Sequence, residues 1–450
     1  MHWSGGPNRG DRHVVPSGAL VSLGRRAGAP AGLFALALLI GGCGQSAPPS
    51  PGASTTALHS VAGVPTSSAT AILGPRDVPC ASSGPAGTTP GAFVIESVPA
   101  GADRCAEIGP LADPEVTGLT NDGPIVAFAG FDAAHAGDLW LGDLRSGAVE
   151  MVYQAAATGI EIASPQLASG HLLWLEWARE AGVGYSVGGA GGPGVTEWWL
   201  KDMDTESRRI TTLTHDRTPG FGGETLGTKI LFDGSRLGIQ EGLKDGATRI
   251  VVQDWPSGKS VQSVTVADRV YDFALTGDGV LYSAGTDRYG PYGTDHTRLM
   301  DCPREGTCRT VAPDVYDVAA SGDVFAWLAD PGSSQDSDSL PGARLYTTNA
   351  KLDPAVAVSS TEASRQSQGI RGIAAGSGVV AWWEQDADVG MNTLTISTAG
   401  SAAPFQLATS GDSVDVSLGG GWLAWFENVG SGDSSTTRVR AFPISAIVRA

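Results

Sequence analysis

The sequence predicts an all-β fold: a β-propeller, with seven four-stranded blades as the leading count, six or eight as the alternatives, and an N-terminal strand or hairpin closing the ring. Three observations carry this. From about residue 116 one unit recurs, an aliphatic-rich strand, a Gly/Asp turn and an aromatic-rich strand. The units start near residues 116, 162, 228, 270, 315, 370 and 414, a spacing on the scale of one propeller blade. Short runs of Val, Leu, Trp and Thr are separated by turn residues, and no segment shows a long helical period.

In chain order, the first segment concerns address rather than fold. Arg25 and Arg26 precede the apolar run Leu33–Ile40, which is followed by Gly41, Gly42 and Cys43. A positive region, a short apolar region and small residues mark an export signal. A membrane-spanning helix needs about 20 apolar residues, and here Gly and Pro crowd both flanks of a shorter run. With Cys directly after the two glycines, the segment resembles a bacterial lipoprotein signal. That resemblance implies that residues 1–42 are removed and that Cys43 carries the lipid, which places the protein outside the cytoplasm, anchored to the cell membrane and facing outward. Residues 43–75, rich in Ser, Pro, Thr, Ala and Gly with almost no charge, are expected to form a disordered tether.

Residues 76–115 form the predicted closing segment and 116–450 the propeller. Within the former, Ala92–Ser97 and Arg104–Ile108 read as a hairpin too early to be a full blade. Pairing it with the last blade would remove sheet edges, and a partial eighth blade is the alternative. The unit itself is plain at Val315–Ala320, Ser321-Gly322-Asp323 and Val324–Leu328, and again at Ile370–Ala375, Gly376-Ser377-Gly378 and Val379–Glu384. A second hairpin follows each such pair, with Asp before its turn at Asp143, Asp202, Asp254 and Asp301. From residue 116 onward the layout resembles secreted β-propellers of the TolB-like and WD-repeat-like kind; the last three units lack the turn Asp.

The chain has 450 residues and a net charge of −18. Four Arg and one Asp lie in the leader, so residues 43–450 hold 25 basic and 46 acidic residues, a net −21. That balance opposes binding to nucleic acid, whose phosphates need basic patches. With Cys43 assigned to lipid, Cys80, Cys105, Cys302 and Cys308 remain in an oxidising compartment. Cys302 and Cys308 flank a turn and are expected to cross-link, leaving Cys80 to pair with Cys105.

Little else carries chemistry. His59, His135, His171, His215 and His296 are not at metal-ligand spacing, so neither metal nor cofactor is expected. Gly184-Tyr185-Ser186-Val187-Gly188 matches G-x-S-x-G, but that motif needs a strand-to-helix turn, and it sits in a Gly-rich loop. Because the repeat also runs to the last residues given, a hydrolase domain of the kind a propeller peptidase requires is not expected after it. The more specific pattern is W-x-E, at Trp174/Glu176, Trp382/Glu384 and Trp425/Glu427. Residues two apart on a strand share a face. Each Trp is therefore expected between blades and each Glu at a rim with Tyr289, Tyr292 and Asp330, where a cation, sugar or basic segment could bind.

These readings lead to the expectation of a tethered binding or scaffold module for a protein or cell-envelope component such as a glycan, without enzymatic activity. The alternative is a propeller enzyme, a lyase, glycosidase or quinoprotein-like oxidoreductase with an axial active site. Fold alone does not choose between them.

Overall fold

The computed structural model describes residues 76–79, 104–111, 116–131, 137–156, 160–179, 195–219, 229–243, 247–285, 297–322, 324–329, 344–349, 356–360, 367–386, 392–398, 404–408, 415–429 and 436–445. All fall in one compact unit, residues 63–450.

Two strands, β1 (Arg76–Pro79) and β2 (Arg104–Ile108), precede the repeats. Blade one is β3 (Val116–Asp122), β4 (Ile125–Phe131), β5 (Gly137–Asp143) and β6 (Ala148–Gln154). Blade two is β7 (Ile160–Ala168), β8 (His171–Arg179), β9 (Val195–Asp204) and β10 (Ile210–Pro219). Blade three is β11 (Lys229–Phe232), β12 (Arg236–Gly242), β13 (Thr248–Asp254) and β14 (Lys259–Val266). Blade four is β15 (Arg269–Leu275), β16 (Gly279–Gly285), β17 (Arg298–Pro303) and β18 (Arg309–Pro313). Blade five is β19 (Val315–Ser321), β20 (Val324–Ala329), β21 (Arg344–Asn349) and β22 (Val356–Ser360). Blade six is β23 (Ser367–Gly376), β24 (Val379–Asp386), β25 (Asn392–Thr398) and β26 (Phe405–Ala408). Blade seven draws β27 (Val416–Gly419), β28 (Trp422–Val429) and β29 (Thr436–Pro443) from the C-terminal end and takes β2 as its fourth strand.

Every ladder is antiparallel, and the blade starts fall within three residues of those expected. In five blades two residues join the first two strands, a turn length that suits their right-handed twist. Ser377-Gly378 is one such turn, with positive φ at both residues.

The core is seven apolar layers, one between each pair of neighbouring blades. Alternation along the second strand explains this, because successive side chains face opposite neighbours. Trp382 packs on blade five with Val324, Ala326 and Leu328, whereas Trp383 packs on blade seven with Leu423, Trp425 and Phe442. Trp425 likewise faces blade six and Phe426 faces blade one. A strand sandwiched in this way is buried on both faces, which is why β16 and β20 are buried along their whole length. The expectation that the W-x-E tryptophans fill inter-blade space therefore holds for Trp174, Trp382 and Trp425, all fully buried.

Closure uses an N-terminal strand, as expected. β2 pairs with β29 through Ala106↔Ala441, Glu107↔Arg440 and Ile108↔Val439. Its other edge is taken by β1; Ala92–Ser97, expected as the other arm of a hairpin, lie outside the described residues. The seam between blades seven and one is tied at both ends. Asp415 accepts hydrogen bonds from the Gly118 and Leu119 amides, at 2.7 and 3.4 Å. At the other end the Asn121 amide donates to Gly419 O at 2.9 Å and to Trp422 O at 3.2 Å. The two turns approach so closely that a Cβ on Gly420 would lie 2.0 Å from Gly123 N, so only glycine fits.

Cys302 and Cys308 form the expected disulfide across the turn between β17 and β18. Cys105 is also disulfide-bonded, while Cys43 and Cys80 lie outside the described residues. In the second hairpins Asp143 and Asp254 sit at the turn, their carbonyls accepting from Gly147 and Gly258. Blade two departs from the reading: Asp204 holds the turn, accepting from Glu206 and Ser207, and Asp202 instead meets His171 at 3.0 Å. Among the described residues no helix is long and apolar enough to cross a membrane.

Candidate functional site

At six of the seven junctions between neighbouring blades the first strands adjoin one another. Because the strands are antiparallel, each first strand begins at the end of the ring where the second strand ends. Near this end, three charged side chains from three consecutive blades meet.

Lys229 opens β11, Asp272 lies on β15 and Asp317 on β19. The Lys229 ammonium pairs with one Asp272 oxygen, which also accepts from Phe273 N at 2.9 Å. The second Asp272 oxygen accepts from Val318 N of blade five at 3.0 Å. Asp317, the residue before Val318, is close enough that the charge of each aspartate acts on the other. Both aspartates sit where the first strand loses register with the second, between Val270 and Asp272 and between Val315 and Asp317. Such a bulge redirects a side chain, here toward the neighbouring blade. Gln240, directly opposite Lys229 in the ladder, donates to Val270 O at 3.2 Å and ties blade three to blade four.

The electrostatics of the two carboxyls diverge. Burial alone would raise Asp272, but the Lys229 charge and the hydrogen bonds from Asp317, Lys229 and Val318 outweigh it and hold it below the ordinary range. Burial and then the Asp272 charge push Asp317 well above that range. The arrangement offers a lysine and two carboxyl groups whose affinities for a proton are pushed in opposite directions. Such a set can bind polar groups or transfer a proton.

None of these three residues was singled out from the sequence. A signal was present: Val270-Tyr271-Asp272 and Val315-Tyr316-Asp317 repeat one tripeptide at the same blade position. Both were read only as strand.

The rim expected from W-x-E is corrected at Glu176 and Glu427. Glu176 is 3% exposed and bridges to Lys201 at 2.8 Å, with the Trp174 indole donating to it at 3.4 Å. Tyr153 of blade one accepts from the same Lys201 ammonium at 2.6 Å, and burial, followed by the Glu176 hydrogen bond and charge, raises its phenol. Glu427 is 0% exposed and bridges to Arg440 at 2.7 Å. The physical reason is that β8 and β28 continue past their glutamates, so sharing a face with Trp places each carboxylate inside an inter-blade layer. Glu384 pairs with Ile370 and Thr393 in mid-sheet; its side chain, like Tyr289, Tyr292 and Asp330, lies outside the described residues. The Gly184–Gly188 motif lies outside them too. His171 pairs with Asp202, and His215 pairs with Glu197 at 2.7 Å and stacks on Trp199. Among the described residues no group of three or more His, Cys, Asp or Glu side chains is placed to hold a metal ion.

No protein-family model matches this sequence, and no curated protein sequence matches it. Solved structures do match. The β-propeller domain of the Trilobed protease from Pyrococcus furiosus aligns at 10% identity and a TM-score of 0.51. That alignment covers 73% of this chain and 95% of the domain. The fold is a β-propeller. An acylaminoacyl peptidase of Pyrococcus horikoshii aligns at 14% identity and a TM-score of 0.42, over 71% of this chain and 51% of its own. A puromycin-hydrolyzing peptidase of Mycobacterium tuberculosis aligns at 12% and 0.46, over 74% and 51%. The chain thus spans about half the length of these two peptidases. The propeller domain that matches belongs to a protease, a finding that goes against the expectation of a binding or scaffold propeller without enzymatic activity. At these identities the likeness itself extends to architecture alone.

Proposed function

We propose that this chain is the propeller of a peptidase-type enzyme, exported and held at the membrane by lipid on Cys43. One observation carries the enzymatic part: the ring of blades aligns with a protease propeller along almost that domain's whole length. In this reading the propeller receives peptide or unfolded protein at the axial end bearing Lys229, Asp272 and Asp317. It positions that chain for a hydrolytic centre outside the described residues. The finer TolB-like placement rests on the second-hairpin turns at Asp143 and Asp254.

The test uses the full chain recovered from envelope of its own host and treated with a serine-directed fluorophosphonate. The expected result is a labelled serine hydrolase, either this chain or one recovered with it, and cleavage of short peptides that the reagent abolishes. Absence of both a labelled protein and peptide cleavage overturns the peptidase reading.

The address is tested separately. It is supported by Arg25-Arg26, the apolar run Leu33–Ile40 and Gly41-Gly42 before Cys43. Cys43→Ser is expected to move the protein from the membrane fraction to the soluble one. Retention of the variant on membranes after a high-salt wash contradicts lipid anchoring at Cys43.

A further inference from the structure

We infer that the junction between blades three and four is the yielding seam of the ring, where the inner ends of two blades part while their own ladders stay intact. Lys229 on Asp272 is the strut that holds this seam shut. The inference is independent of the peptidase reading, since it concerns only how the blades are joined.

The inner strands place the seam. Among the described residues β11 and β15 do not adjoin as the first strands do at the other six junctions. Side chains join the two blades instead. Gln240 Nε2 donates to Val270 O at 3.2 Å, and Val270 N donates to Thr248 Oγ1 at 3.4 Å. Gln262 Nε2, on the outermost strand of blade three, donates to Cys302 O at 2.9 Å. Phe273 and Leu275 press on blade three at Gly238, where a Cβ would lie 2.9 Å from either side chain. Contacts of this kind part without breaking a ladder, so opening costs less than unfolding. The junction where the two ends of the chain meet is built differently. There β27 and β3 adjoin, and a backbone bond crosses from Gly123 N to Gly419 O at 3.2 Å.

The strut occupies a position that recurs around the ring. Lys229, Asp272 and Asp415 each stand seven residues before the second strand of their blade, ahead of Arg236, Gly279 and Trp422. Each reaches the next blade. Asp415 accepts from Gly118 N of blade one at 2.7 Å, and Asp272 accepts from Val318 N of blade five at 3.0 Å. At those two junctions the adjoining strands bring an amide within reach of a short aspartate. Between blades three and four the same position holds a lysine, whose four-carbon stem spans the wider gap to the Asp272 carboxylate. The Lys229 side chain is 36% exposed, so dissolved salt screens this pair.

Amide hydrogen exchange of the full chain tests the seam on a matched pair of bonds. Val270 N donates to Thr248 of blade three, and Leu167 N donates to Thr120 of blade one at 3.1 Å. Each is a buried amide on a threonine hydroxyl across a blade junction. Corrected for intrinsic rates, Val270 is expected to exchange about tenfold faster than Leu167, because it opens with the seam. Lys229→Met keeps the apolar stem without the charge, and is expected to speed Val270 further while leaving Leu167 behind. An ion pair that only supports global stability would speed both amides alike. Should the variant not fold, wild type in about 0.1 M and then 1 M salt gives the same comparison, since the screening length falls from about 10 to 3 Å. Equal protection of the two amides in wild type, or equal acceleration of both by Lys229→Met or by salt, overturns the seam.

Discussion

Arg440→Ala is expected to destabilise the propeller by about 3–5 kcal/mol, the cost of stranding buried charge by removing one partner. Arg440 bridges Glu427 at 2.7 Å and Glu107 at 3.0 Å, and both carboxylates are almost fully buried. Arg438 reaches Glu107 as well, at 3.4 Å. The cluster lies where β29 pairs with β2, so it joins residues more than 300 positions apart and closes the ring. Adding Glu427→Gln to Arg440→Ala should recover part of the loss, because one fewer charge is then left in the layer. Glu427→Gln alone should also be destabilising, the reverse of what an exposed rim position would show. Denaturant unfolding of the four proteins measures this. A loss below about 1 kcal/mol for Arg440→Ala would mean that the pair behaves as a solvated one.

Trp382→Ala should cost a similar amount, about 3–5 kcal/mol, through a different mechanism. The indole fills the layer between blades five and six, against Val324, Ala326, Leu328 and Leu345. Neighbouring blades are each held by their own ladders and cannot collapse fully into the space it leaves. The cost therefore combines lost burial with a residual cavity. Trp382→Phe should retain much of the stability by keeping most of the apolar volume. Equal midpoints for wild type and Trp382→Ala would show that the layer repacks without penalty.

Sequence alone was enough for the blades. A propeller strand, its two-residue turn and its neighbour are contiguous in the chain, so alternation, Gly and Asp record them locally. Val315–Ala320, the turn at 321–323 and Val324–Leu328 became β19 and β20 with hardly a residue displaced. The Cys302–Cys308 link was legible for the same reason, being a contact across one turn. The inter-blade packing of Trp174, Trp382 and Trp425 followed from the repeat as well.

Only the tertiary structure decided which polar residues are buried and what they meet. Glu427 looked like a strand end because its partner Arg440 is on another strand and Glu107 is at the opposite end of the chain. The pairing of β2 with β29 joins opposite ends of the chain, so no local pattern records its register. Asp272 and Val318 stand 46 residues apart, and only the turn of one blade onto the next brings the Asp272 carboxylate to the Val318 amide. The reason is general to this architecture. Hydrogen bonds within a blade are local and leave a periodic trace, but packing and charge pairing between blades depend on rotation about an axis that no local pattern records.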